Sequence, residues 1–204
     1  MPQEVFDYSE AQSGLLATGI FERERMIRVA IGLLLLLSSV AFAQEPSFDF
    51  KGILLGSDIS AVERSSRFSC RSTKDPIADR ICSLKSDEKE TIAGMRLHSL
   101  MLYYYAGKLE TISISLDEKH FSQVIAALVE KYGQGATRTE QVQNRLGAAF
   151  ENKIYSWRRN NATLQAKRYA AKLDTSEVIY RTDFALEEFA RRSGTSAKEK
   201  SKDM

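Results

Sequence analysis

Twelve largely apolar residues, Val29 to Val40, follow Arg28 and precede Ala41-Phe42-Ala43. That run decides which part of the chain has to fold, and where. A short basic region, a brief apolar stretch and an A-x-A site form the anatomy of a secretory signal peptide. The stretch falls short of the roughly 20 apolar residues a membrane-crossing helix needs. Residues 26–43 therefore read as a signal peptide cleaved after Ala43. The remaining chain starts at Gln44, keeps no stable membrane span and matures as a periplasmic or secreted protein. Residues 1–25 are polar, acidic and aperiodic, and read as an over-long start or a disordered extension ahead of Met26. The competing reading is an uncleaved anchor with Arg23, Arg25 and Arg28 on the inner side.

Export sets the expectation for the cysteines. Cys70 and Cys82 are the only two, and both lie downstream of the signal. In an oxidising compartment such a pair closes a disulfide. A metal site would need more ligands than His98 and His120 can add, and the C-x-x-C spacing of a redox pair is missing. No metal and no cofactor is expected. Hydrophobic residues at 43% and charged residues at 27% fit a folded chain rather than a disordered one. A balance of 29 basic against 27 acidic residues leaves +2, which is no footprint for nucleic acid.

Periodicity predicts the elements. Phe48–Leu54 reads as a short strand broken by Gly56, and Ser57 or Asp58 can cap a helix carrying Ile59 and Val62. Residues 81–84 and 91–94 read as strands around a solvated turn in which Asp87, Glu88 and Glu90 mix with Lys85 and Lys89. The clearest hairpin sets Leu100, Leu102 and Tyr104 against Ile112, Ile114 and Leu116. A three-residue loop, Tyr105-Ala106-Gly107, matches these faces, whereas a two-residue turn mismatches them. Asp117 then caps a helix whose stripe is Phe121, Val124, Ile125, Leu128 and Tyr132, with Gly133 past its end. Gln134 to Asn152 is polar and reads as a long connection. Lys153–Arg159 is a strand that returns through an Asn160-Asn161 turn, pairing Trp157 with Leu164 and Tyr155 with Ala166. A strand at Glu177–Arg181 leads to a short helix closed at Gly194. The expectation is an α+β fold, with two or three helices packed on one face of an antiparallel β-sheet. It forms a single domain over 44–194, with a disordered tail at 195–204.

No nucleotide-binding, nucleophile-elbow or zinc-protease motif is present, so no catalytic residue is assigned. Neither His98, on the parity of Leu100, nor His120 has a partner marked by spacing. Alternation sends Tyr103 and Tyr105 to one face and Tyr104 to the other. Exposed tyrosines make good interface anchors. Arg158, Arg159 and Arg168 add positive charge to the last hairpin. These five side chains form the candidate interaction surface.

The stretches Leu55-Gly56-Ser57-Asp58-Ile59-Ser60-Ala61-Val62, Gly107-Lys108-Leu109-Glu110-Thr111-Ile112 and Lys131-Tyr132-Gly133 resemble small exported bacterial modules of the BamE (SmpA/OmlA) kind and the β-lactamase-inhibitor-protein fold. The chain departs from them in lacking a lipoprotein cysteine and in the long segment before Lys153. The resemblance implies helices on one face of an antiparallel sheet, acting by protein contact, and it carries over no active-site residue. The resulting expectation is a non-enzymatic exported protein that binds another protein or a cell-envelope component. The alternatives are an envelope hydrolase with an unrecognised site, and a carrier holding a small apolar ligand between the sheet and Phe121, Ile125 and Leu128.

Overall fold

From Phe68 to Thr182 the chain is extended for most of its length, and nearly all of that length enters one sheet. The computed structural model describes the backbone of residues 48–75 and 77–200 and the side chains of that range through residue 192. The expected signal segment 26–43, residues 1–25 and residues 201–204 lie outside the described residues. The elements are β1 (Asp49–Phe50), β2 (Ile53–Leu54), α1 (Ser60–Glu63), β3 (Phe68–Ser72), β4 (Arg80–Leu84), β5 (Thr91–Ile92), β6 (Met95–Tyr105) and β7 (Lys108–Asp117). There follow a 3-10 turn (Glu118–His120), α2 (Phe121–Tyr132), β8 (Ala136–Gln143), β9 (Ala149–Arg159), β10 (Ala162–Lys167), β11 (Thr175–Thr182) and α3 (Asp183–Lys200).

The strands form a nine-stranded antiparallel sheet in the order β3-β4-β6-β7-β11-β10-β9-β8, with β5 paired to β6. One ladder of directly opposed residues crosses its inner face: Cys70, Cys82, Leu102, Ile112, Tyr180, Leu164 and Trp157. From Cys82 onward these side chains are at most 5% exposed, so this row is the spine of the core.

The order explains α2. β7 pairs with β11 in mid-sheet, while the next strand in sequence, β8, lies at the far edge. The chain must travel four strand spacings, about 19 Å at 4.8 Å each. Twelve helical residues rise about 18 Å, and α2 has twelve. Its buried Phe121, Val124, Ile125 and Leu128 share one cluster with the spine. Trp157 Nε1 donates to the carbonyl of Gly133 at its end (2.7 Å).

The expected layer of two or three helices is not found, and the α+β assignment is corrected to a mostly β architecture. α1 is a single turn that buries only Val62, α2 is one strap across the sheet, and α3 buries Ala185 near its start. None has a second helix beside it on the sheet to build a layer with.

Four local expectations are also corrected. Gln134–Asn152 is not a connection: it holds β8 and the first part of β9, paired from Ala136↔Ser156 to Gln143↔Ala149. The β6–β7 turn has two residues, Ala106 (φ 49°) and Gly107 (φ 78°), the paired positive φ of a type I′ turn. The mismatch of faces that this turn creates is absorbed by a bulge. Tyr104 pairs with Leu109 and Tyr103 with Thr111, leaving Glu110 as the extra residue. A second bulge, between Leu97↔Leu116 and Ser99↔Ser115, takes His98 off the parity of Leu100 and leaves it exposed. Finally, α3 runs through Gly194 to Lys200. The Asn160-Asn161 hairpin has the expected register, Trp157 opposite Leu164 and Tyr155 opposite Ala166.

The charged turn after β4 does more than meet solvent. Glu90 accepts from Lys51 Nζ (2.5 Å) and Arg67 (3.0 Å), and Glu88 accepts from Arg67 Nε (3.1 Å). The pairs tie the β1–β2 hairpin and the approach to β3 onto the start of β5. Burial works to raise the Glu90 pKa, but Lys51, the Thr91 N–H and Arg67 together hold it at about 2, against an ordinary 4.5. A carboxyl depressed in the folded state stabilises above its unfolded pKa, and that contribution is lost as pH falls from about 4.5 towards 2. Lys51 and Arg67 are 48% and 41% exposed, so screening limits the gain to about 1–2 kcal/mol. The unfolding free energies from urea titrations at pH 6 and pH 3 are expected to differ less for Glu90→Gln than for the wild type, by about 1 kcal/mol. Identical differences would show that the cluster contributes nothing.

Candidate functional site

The bulge at Glu110 has a structural consequence across the sheet. The Glu110 carboxylate accepts a hydrogen bond from the Thr182 hydroxyl, and the same Thr182 Oγ1 accepts from the Ala185 N–H (3.2 Å). Thr182 is thus the cap that starts α3. Arg158 holds that start from another strand, donating to Asp183 (2.7 Å) and Thr163 (3.3 Å). Asp183 in the first helical turn also suits the positive end of the helix dipole.

Anchored in this way, the first two turns of α3 stand beside the outer face of β6 and β11. The Tyr105 and Phe184 ring centroids lie 5.1 Å apart. The Arg181 guanidinium lies 5.6 Å from the Phe189 ring centre. Tyr105, Phe184 and Phe189 are 41%, 43% and 51% exposed. Tyr103 is half-buried on the same face, opposite Thr111, which itself lies opposite Arg181. Its hydroxyl points to the Met101 sulfur (3.7 Å). Burial raises the Tyr103 pKa, with Asp75 and Glu177 adding to the effect, and burial lowers that of Arg181. This side of the sheet therefore presents the phenols of Tyr103 and Tyr105, two phenyl rings and a partly desolvated guanidinium.

The candidate surface divides. Tyr105 and Arg158 each reach the start of α3, through Phe184 and Asp183, whereas Tyr103 lies on the same face of the sheet four strands from Arg158. Arg159, one residue along the strand from Arg158, points to the inner side and stacks over Tyr132 (5.1 Å) and Phe48 (5.9 Å). Arg168 donates to Glu118 (2.5 Å) and lies over Tyr169 (4.9 Å). Each of these arginines has an acidic or aromatic partner within the chain. Phe184 and Phe189 are site residues that the sequence reading did not single out. Cys70 and Cys82 are disulfide-bonded, opposite one another on β3 and β4.

His98 Nε2 is 3.3 Å from Asp117 Oδ1, with both side chains more than 40% exposed. The neighbouring Ser99 hydroxyl bonds to that of Ser115 (2.7 Å). Asp117 makes no side-chain cap to the helix that follows, and His120 stands at the start of α2. Among the described residues, no three His, Cys, Asp or Glu side chains converge as a metal site requires. No helix among them is long and apolar enough to cross a membrane.

No protein-family model, curated protein or solved structure matches the chain.

Proposed function

We propose that this chain is an exported, non-enzymatic protein that binds another protein through the corner formed by Tyr105, Phe184 and Phe189. The observation that carries the reading is that three large aromatic side chains at the anchored start of α3 are 41–51% exposed, Tyr105 and Phe184 with ring centroids 5.1 Å apart and Phe189 against the Arg181 guanidinium. Exposed aromatic clusters with an adjacent arginine are the chemistry of interface hot spots, because rigid rings bury much apolar area at little entropic cost. The corner is held by the Glu110–Thr182 and Arg158–Asp183 contacts, so little ordering is left to be done on binding. Export is supported by the signal-like residues 26–43 and by the disulfide between Cys70 and Cys82.

Affinity capture from extracytoplasmic extract tests the reading. The wild-type protein is expected to retain a partner. The variant Tyr105→Ser/Phe184→Ser/Phe189→Ser is expected to lose at least about tenfold of that binding, with its circular dichroism unchanged. Undiminished capture by the folded triple variant would remove this corner from consideration. The same preparation, sequenced from its N-terminus, is expected to begin at Gln44.

A further inference from the structure

The two edges of the sheet are finished differently. β3 is five residues long and is tied to β4 by the disulfide. β8 is eight residues long, pairs only with β9 and keeps an unbroken register with it. Six of its eight residues are exposed. Ala136-Thr137-Arg138-Thr139-Glu140-Gln141-Val142-Gln143 has no proline, lysine or bulge, three of the devices that ordinarily stop an edge from pairing, and its two charged residues, Arg138 and Glu140, are of opposite sign. Antiparallel geometry turns every second residue's N–H and C=O on such a strand away from its one neighbour.

We propose that β8 pairs antiparallel with β8 of a second copy of this chain, about a two-fold axis at Thr139, so that two sheets join into one. The strand is self-complementary in that register. On one face Ala136, Arg138, Glu140 and Val142 stand opposite Val142, Glu140, Arg138 and Ala136 of the second copy. This gives two Arg–Glu pairs flanked by two apolar contacts. On the other face Thr137, Thr139 and Gln141 meet Gln141, Thr139 and Thr137, all able to hydrogen-bond. Within one chain Arg138 and Glu140 share a face but are only 3.9 Å apart at their closest N and O, with side chains 62% and 42% exposed. Glu140 uses Oε1 to accept from Asn152 (3.2 Å), and its Oε2 meets Arg138 of its own chain only at that 3.9 Å separation, so the arginine of a second copy can approach it as well.

Charge also selects the register. A two-fold axis perpendicular to the sheet allows only registers differing by two residues in the sum of the paired positions. The neighbouring registers set Arg138 against its own copy or Glu140 against its own copy. Like charges directly opposed across strands are destabilising. The inference is independent of the aromatic corner, which uses β6, β11 and α3.

Sedimentation equilibrium on the intact disulfide-bonded protein tests it. The wild type is expected to show a concentration-dependent monomer–dimer equilibrium. Arg138→Glu and Glu140→Arg, made singly, each convert two attractive pairs into repulsive ones and should weaken dimerisation about tenfold or more. An equimolar mixture of the two variants should regain the dimer, because every charged position on one chain then faces its opposite on the other. Circular dichroism checks that each variant is folded, and amide exchange in β8 should slow as protein concentration rises. A folded wild type that stays monomeric up to about 1 mM overturns the proposal. So does a dimer indifferent to both single variants, or a mixture that remains monomeric.

Discussion

Replacing Tyr180 with alanine is expected to lower the free energy of unfolding by about 4 kcal/mol, enough to leave a domain of ordinary stability marginal. The residue is 2% exposed and occupies the middle of the spine, between Ile112 and Leu164. Its ring meets the edge of Phe48 at 6.2 Å, and Phe48 in turn meets Tyr132 at 5.2 Å, both edge-to-face. Removing the ring thus opens a cavity where the sheet, the β1–β2 approach and α2 converge. The strands and α2 around it are held by other contacts, so the hole cannot close fully. Burial drives the Tyr180 phenol well above its usual pKa, with Tyr132 and Asp49 adding to the shift, so the hydroxyl stays protonated and bonded to Tyr132. Tyr180→Phe keeps the ring and should cost only about 1 kcal/mol. Trp157 is the only tryptophan and is 5% exposed on the same spine, so urea unfolding followed by its fluorescence reads both variants. A Tyr180→Ala loss under about 1 kcal/mol would mean that the spine does not carry the core.

The spine was legible because it is one-sided. Leu102, Ile112, Leu164 and Trp157 lie in strands with one buried face, and a period of two is the signature of that situation. β8 was illegible for the converse reason. Its alternate residues Thr137, Thr139, Gln141 and Gln143 are polar, and so are Arg138 and Glu140 between them. Neither face is buried, so no period survives to be read. The same blindness inflated the helical share of the fold: a polar strand counted as loop leaves the helices looking more prominent than they are. Gly135, read as a loop residue, is where the backbone comes against Trp157. A Cβ there would stand 2.7 Å from Cε2 of the indole.

The bulges mark a different limit. Strict alternation argued correctly that a two-residue turn mismatches the faces of β6 and β7, but it could not show that Glu110 absorbs the mismatch. That residue then anchors Thr182 and so positions α3. Tyr103 and Tyr105 were therefore visible as a face while Phe184 and Phe189 were not. Their place depends on a contact between positions 72 residues apart in sequence, a separation that no local pattern encodes.

Breaking the Cys70–Cys82 bond is expected to cost about 3 kcal/mol, the loop-closure entropy returned to the unfolded chain when a cross-link of this size is removed. The separation is 12 residues, and the two cysteines stand directly opposite in the β3–β4 ladder. Cys82 is fully buried beside Leu102, whereas Cys70 belongs to an edge strand with β4 as its only neighbour. Alanine at both positions keeps the buried site apolar, so Cys70→Ala/Cys82→Ala isolates the cross-link from the penalty a buried serine would add. The double variant and the wild type in dithiothreitol should show the same downward shift in urea midpoint. Amide exchange should rise first in Phe68–Ser72, while β8, at the opposite edge, should change only with global unfolding. If the thiols label fully under dithiothreitol and the midpoint does not move, the cross-link does not constrain the chain. The case for a protein that depends on an oxidising compartment then loses its physical basis.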